Sequence, residues 1–198
     1  MERPRGDTAG RILDVAEQLV QERGYNGFSY ADVAEQLGIS KAALHYHYPG
    51  KAELGDALIE RYAARFADAL TALDAKEIDA PDRLDAYAQL YAEVFRDDRM
   101  CLCGMLAADY ATLPDPMRAR VVGFFDDNEV WLSHVLEEGR MAGSLRFQGS
   151  PRTVARTLVG GLEGAMLVAR PYGDLKRFQA TASLLIDGLA VDRAESSR

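Results

Sequence analysis

The segment Phe28-Ser29-Tyr30-Ala31-Asp32-Val33-Ala34-Glu35-Gln36-Leu37-Gly38-Ile39-Ser40-Lys41-Ala42-Ala43-Leu44-His45-Tyr46-His47-Tyr48-Pro49-Gly50-Lys51 constrains the fold more than any other part of the chain. Ser29 is placed to cap a helix, with Asp32 three residues on to complete a capping box. Val33, Ala34 and Leu37 then fall on one helical face, and the small Ala34 lets a second helix cross closely. Gly38 stands where a helix stops in the left-handed region. Ser40 caps a second, short helix, and Ile39 and Leu44 supply the apolar plug between the two. A third helix opens at Lys51. This spacing predicts a helix-turn-helix whose second helix can enter a DNA major groove.

The exposed chemistry of that segment suits DNA. From Gly38 to Lys51 there are two lysines, two histidines, two tyrosines and no acid. Lysine and tyrosine bind phosphates, and lysine also reads guanine edges. Ala42 and Ala43 are small enough to let backbone approach the bases and to touch a thymine methyl. The expected DNA-binding residues are Ser29, Tyr30, Ser40, Lys41, Ala42, Ala43, His45, Tyr46, His47 and Lys51, with Tyr48 packing inward behind them. Arg3, Arg5 and Arg11 are expected to add phosphate contacts from the N-terminal arm.

The motif resembles that of the TetR family of transcriptional regulators. Val33-Ala34, Gly38-Ile39-Ser40-Lys41-Ala42-Ala43-Leu44, His45-Tyr46-His47-Tyr48 and Gly50-Lys51-Ala52-Glu53-Leu54 follow the family pattern. Two positions depart from it: His45 stands where a tyrosine is usual, and Tyr48 where a phenylalanine is. The resemblance implies an all-α homodimer with two parts. Residues 1–51 would form a three-helix DNA-binding domain, and residues 52–198 a helical ligand-binding and dimerisation domain. It further implies a repressor released from a palindromic operator by a small apolar or electrophilic effector. A helix-turn-helix regulator acting without a small ligand, as an activator or architectural protein, is the alternative.

Charge fits a selective binder better than a nonspecific nucleic-acid coat. The formal net charge is −8. Six basic and seven acidic residues fall in 1–51, against 17 and 24 beyond, so most of the acidity lies outside the motif. Repulsion of this kind predicts salt-sensitive binding. No secretory leader and no apolar run of membrane-spanning length is visible, and two cysteines make no disulfide framework. These features together predict a cytoplasmic protein.

No Ser-His-Asp pattern, phosphate-cradling glycine loop or set of paired metal ligands points to an enzyme, a metal site or a cofactor.

Periodicity predicts helices along the whole chain. The first runs over Thr8–Arg23, with Ile12, Leu13, Ala16, Leu19 and Val20 inward and Gly24 as its stop. The helix from Lys51 carries Leu54, Leu58, Tyr62, Phe66, Leu70 and Leu73. Another starts at Ala80-Pro81-Asp82 and breaks at Asp97-Asp98-Arg99. Further helices are expected over Cys101–Leu113, Met117–Met141, from Ser150-Pro151 to Pro171, and over Leu175–Leu189, with a frayed tail from Asp192 to Arg198.

The last two helices carry Gly160, Gly161, Gly164, Leu185 and Leu189, a set suited to a four-helix interface between two copies or to packing within one chain. The candidate ligand residues are Phe66, Tyr87, Tyr91, Phe95, Cys101, Met105, Phe124, Trp131 and Met166, because small-molecule sites are mostly apolar with a few polar anchors. The segment around Cys101 also resembles a branch of the family that carries a cysteine at this helix start, some members of which respond to electrophiles or oxidants. A helix N-terminus and Arg99 would favour a reactive thiolate at Cys101, with a structural residue as the alternative reading, while Cys103 reads as a buried small hydrophobe. Where some redox-sensing relatives carry a lysine late in the second-last helix, this chain has Arg170.

Overall fold

The computed structural model describes residues 7–191, so the expectations for Arg3, Arg5 and the tail from Asp192 lie outside the described residues. Nine α-helices follow one another among them: α1 Thr8–Arg23, α2 Tyr30–Leu37, α3 Lys41–His47, α4 Lys51–Asp74, α5 Ala80–Arg96, α6 Leu102–Ala108, α7 Asp115–Met141, α8 Pro151–Ala169 and α9 Leu175–Asp187. Single 3-10 turns follow α6 and α8. No strand forms among these residues beyond one isolated bridge between Leu145 and Ala190.

Capping explains several of the boundaries. Asp7, Ser40, Asp79, Ser150 and Asp174 each accept a first-turn amide of the helix that follows. Ser29 precedes α2, and the Asp32 carboxylate accepts from both its amide and its hydroxyl, each at 2.6 Å. Those two bonds hold the Asp32 carboxyl below the ordinary aspartate range. Gly38 ends α2 at φ 63°, a conformation that costs glycine nothing.

Four elements differ from the expected spans, one of them α8, which ends at Ala169 before the 3-10 segment Arg170–Tyr172. The helix after Cys101 stops at Ala108, because the Asp109 backbone turns into the 3-10 segment Tyr110–Thr112. Helix α7 starts at Asp115 and takes Pro116 into its first turn, where a missing N–H costs no intrahelical bond. The last helix ends at Asp187, since the Leu189 carbonyl accepts from Arg146 N at 2.8 Å instead of continuing the helix.

The described residues group into two compact units: 7–65 with 101–122, and 66–100 with 123–191. In the first, α1 packs on α2 and α6, and α2 on α3. Its core contains Ile12, Ala16, Leu19, Val20, Val33, Leu44, Leu54 and Leu58, all buried. The Arg61 guanidinium ties α4 to α1 through Gly10 O at 3.2 Å, Asp14 at 2.8 Å and Glu17 at 3.0 Å, and Arg65 also pairs with Glu17. In the second unit, α5, α8 and α9 pack on one another around Leu84, Tyr87, Leu158, Leu162, Met166, Phe178 and Ile186.

Candidate nucleic-acid interface and ligand core

Helix α3 turns one residue, Leu44, fully inward. Lys41, Ala42, His45 and Tyr46 are exposed, Tyr46 at 85 %, while Ala43 and His47 are half-buried. Ser40 Oγ is occupied by the Ala43 amide at 3.1 Å, so part of its capacity goes to the cap. Ser29 is exposed, with its hydroxyl given to Asp32. The Tyr30 hydroxyl donates inward to Tyr48 O at 2.9 Å, and burial pushes its pKa up to about 12. Tyr48 is half-buried behind the helix, its hydroxyl 3.5 Å from Ala9 O.

Lys51 is placed differently from the phosphate contact expected of it. Its ammonium donates to the carbonyls of Tyr25 and Phe28 and lies 4.6 and 4.2 Å from the centres of their rings. Burial lowers its pKa, opposed by Asp109 and Asp32. The loop it holds is gripped from another side. Asp109 accepts from Tyr25 N at 2.8 Å and Asn26 N at 3.4 Å, and Asn26 Nδ2 donates to Thr112 Oγ1 at 2.8 Å. Sequence reasoning missed Asp109, Tyr25 and Asn26. The local signal was a turn-forming Gly24-Tyr25-Asn26-Gly27, and nothing in it names a partner more than eighty residues away.

The ligand candidates divide between the units, with every aromatic one in the second. Phe66, Tyr87, Tyr91, Phe124 and Trp131 meet in the second: Phe66 lies 6.0, 6.1 and 5.2 Å from Tyr87, Tyr91 and Phe124, and Tyr87 stacks on Trp131 at 5.6 Å. A polar thread runs through them, with Tyr87 Oη donating to Asn128 Oδ1 at 2.9 Å and lying 3.2 Å from Tyr91 Oη. The buried Asn128 was missed because one asparagine within an acidic run, Asp126-Asp127-Asn128-Glu129, reads as surface. Trp131 Nε1 donates to Asp74 at 2.9 Å. Phe95 pairs with Phe178 at 6.2 Å and lines a cavity of about 290 Å3 with Arg96, Asp98, Gly173 and Leu175. Met166 is fully buried.

Cys101 and Met105 belong to the first unit. Cys101 is 1 % exposed and receives the Tyr62 hydroxyl at 3.7 Å from its sulfur. Arg99, expected to favour its thiolate, bonds Asp97 instead. Cys103 is buried.

The interface candidates also separate. Gly160 and Gly164 are exposed with open space beside them, whereas a side chain at Gly161 would meet Leu185 Cδ1 at 2.7 Å. Gly161 and Leu185 thus pack α8 on α9 within one chain, and Leu189 is half-buried. Leu167, Val168 and Leu184 are 59, 58 and 76 % exposed, so Leu184 and not Leu185 faces outward. No helix among the described residues is long and apolar enough to cross a membrane, and no group of three metal-ligating side chains forms among them.

Comparison with known proteins agrees with this architecture. Residues 12–58 match the model described as bacterial regulatory proteins, tetR family, and residues 80–185 the tetracyclin repressor-like C-terminal domain. The HTH-type transcriptional repressor NemR of Escherichia coli strain K12 is 29 % identical over 168 residues, covering 83 % of this chain and 84 % of that one. The solved reduced form of E. coli NemR superposes with a TM-score of 0.83 at 27 % identity over 94 % of this chain and 99 % of that one. A TetR-family regulator from Agrobacterium tumefaciens superposes with a TM-score of 0.89 at 31 % identity, over 92 % of this chain and 97 % of that one. The chain belongs to the TetR family of bacterial regulators and is a helix-turn-helix transcriptional regulator.

Proposed function

We propose that the protein is a homodimeric repressor that binds a two-fold-symmetric operator through α3 and is released by a small apolar or electrophilic effector. The observation that carries the DNA reading is the outer face of α3: Lys41, Ala42, His45 and Tyr46 point to solvent with no acid between Gly38 and Lys51. The similarity to NemR, a transcriptional repressor, supports the sign of regulation. The aromatic and polar core around Tyr87, Tyr91 and Asn128 supports an apolar effector with one hydrogen-bonding group. The electrophilic class rests on the Cys101 thiol at the start of α6, which is 1 % exposed and must be uncovered to react.

The test starts from duplexes selected from a random-sequence pool by the wild-type protein. Lys41→Ala and Tyr46→Ala are expected to weaken binding at least tenfold without lowering thermal stability. Wild-type affinity in both variants excludes α3 as the reader. On the same duplex, release by a thiol-alkylating reagent that Cys101→Ser abolishes, and Cys103→Ser does not, identifies the electrophilic class. Equal release of parent and Cys101→Ser excludes Cys101 as the sensor, and no release of either leaves the noncovalent apolar class.

A further inference from the structure

His45 is held in one orientation by contacts on two sides. Its Nδ1 lies 2.9 Å from the carbonyl oxygen of Pro49, and its ring packs against Tyr30 with centroids 4.7 Å apart. Tyr30 is itself tied through its hydroxyl to Tyr48 O at 2.9 Å. A carbonyl oxygen has no hydrogen to give, so Nδ1 carries the proton and donates it. In the neutral ring the other nitrogen, Nε2, is then left with a lone pair. No described residue hydrogen-bonds Nε2, and His45 is exposed. His47 lacks this determination: its ring meets Tyr46 at 5.3 Å, but no hydrogen bond to a described residue fixes its tautomer.

We infer that His45 reads the operator as a hydrogen-bond acceptor, taking a hydrogen from the exocyclic amine of an adenine or cytosine in the major groove. The inference rests on α3 being the reading helix. The chemistry follows from what DNA offers there. Phosphates, guanine N7 and O6, and thymine O4 are all acceptors, and they repel a nitrogen lone pair. Adenine N6 and cytosine N4 are the amine donors in that groove. Lys41 lies four residues earlier on the same face of α3, one helical turn away, and offers donors only. The pair thus presents a donor beside an acceptor, and this pattern distinguishes base pairs where two cations would not. A tyrosine hydroxyl, usual at this position, rotates to donate or accept and carries no such polarity.

The experiment uses the full-length protein and the duplex it selects. Replacing the amine-bearing base at successive positions, with purine for adenine or pyrimidin-2-one for cytosine, removes one donor at a time. The wild-type protein is expected to lose about fivefold in affinity at one position per half-site, the low end for a single base contact. His45→Ala is expected to be indifferent to that replacement, with an unchanged salt slope. His45→Gln, which can present an acceptor at a similar reach, is expected to keep part of the discrimination. If no base replacement affects the wild type more than His45→Ala, the inference is wrong. If His45→Ala weakens every duplex alike and lowers the salt slope by about one per protomer, the ring is a charged phosphate ligand and the inference is equally wrong. Failure of the reading on which it rests looks different: Lys41→Ala and Tyr46→Ala then bind like the wild type.

Discussion

Lys51 carries its charge where water is scarce and finds compensation in three kinds of partner. Two carbonyls accept its hydrogens, two aromatic rings face its ammonium, and Asp109 and Asp32 act on it through space. A cation so placed is a structural bolt for the loop between α1 and α2, and it is poorly placed to contact a phosphate. Lys51→Met is therefore expected to lower the stability of the protein by about 1–3 kcal/mol, the range for hydrogen bonds to a charged group and the carbonyls they leave behind. Urea denaturation measures that loss. The salt dependence of operator binding is expected to stay as in the parent. An unchanged denaturation midpoint with a salt slope reduced by about one would instead make Lys51 a phosphate ligand. From sequence alone the opposite placement was the natural reading, because a lysine beside a basic helix reads as solvated. Only the folded loop shows two carbonyls converging on it.

At the scale of elements, the legible parts were those encoded within a few residues. Ser40 and Ser150 cap helices where short-range chemistry calls for them, and α1 has the span its apolar period and Gly24 predict. Contacts between distant segments were not legible. Nothing local announces that Gly161 leaves room for Leu185, or that Asp109 ends α6 and also holds the loop after α1. That second role makes Asp109 a physical link from α6 to the loop that leads into the helix-turn-helix. Gly24 adjoins the same carboxylate: at φ 79°, a side chain there would come within 2.7 Å of Asp109 Oδ2. Asp109→Ala is expected to cost about 1–3 kcal/mol, since it strands the Tyr25 amide beside a buried ring. Amide hydrogen exchange gives the specific readout. Faster exchange at Tyr25 and Asn26 with α3 still protected supports the link, and unchanged protection at Tyr25 removes it.

For the whole molecule, the distribution of charge and of exposed apolar surface bears on how it pairs and binds. With seven acids against six bases in 1–51 and the excess acidity beyond, nonspecific attraction to DNA is weak, and one α3 surface is small. In the proposed homodimer, two copies related by a two-fold axis double the reading surface and place one α3 in each of two successive major grooves, about 34–36 Å apart. The proposed pairing surface is on α8 and α9. Gly160, Gly164, Leu167 and Val168 follow the i, i+4, i+7, i+8 spacing of a single helical face, and all four are exposed. Leu184 of α9 adds an outward leucine. Contiguous apolar exposure of this kind marks association surfaces more often than free solvent contact. The structure separates two effects that the sequence alone left merged. Leu185 packs against Gly161 inside the chain, so Leu185→Glu is expected to damage folding. Leu167→Glu and Leu184→Glu are expected to leave the fold intact and break the dimer, with operator affinity falling at least a hundredfold as the second half-site is lost. Analytical ultracentrifugation and circular dichroism on the three variants distinguish these outcomes. Dimers of undiminished affinity in both Leu167→Glu and Leu184→Glu would place the pairing surface elsewhere, and a monomer holding one half-site at full affinity would remove the two-fold arrangement altogether.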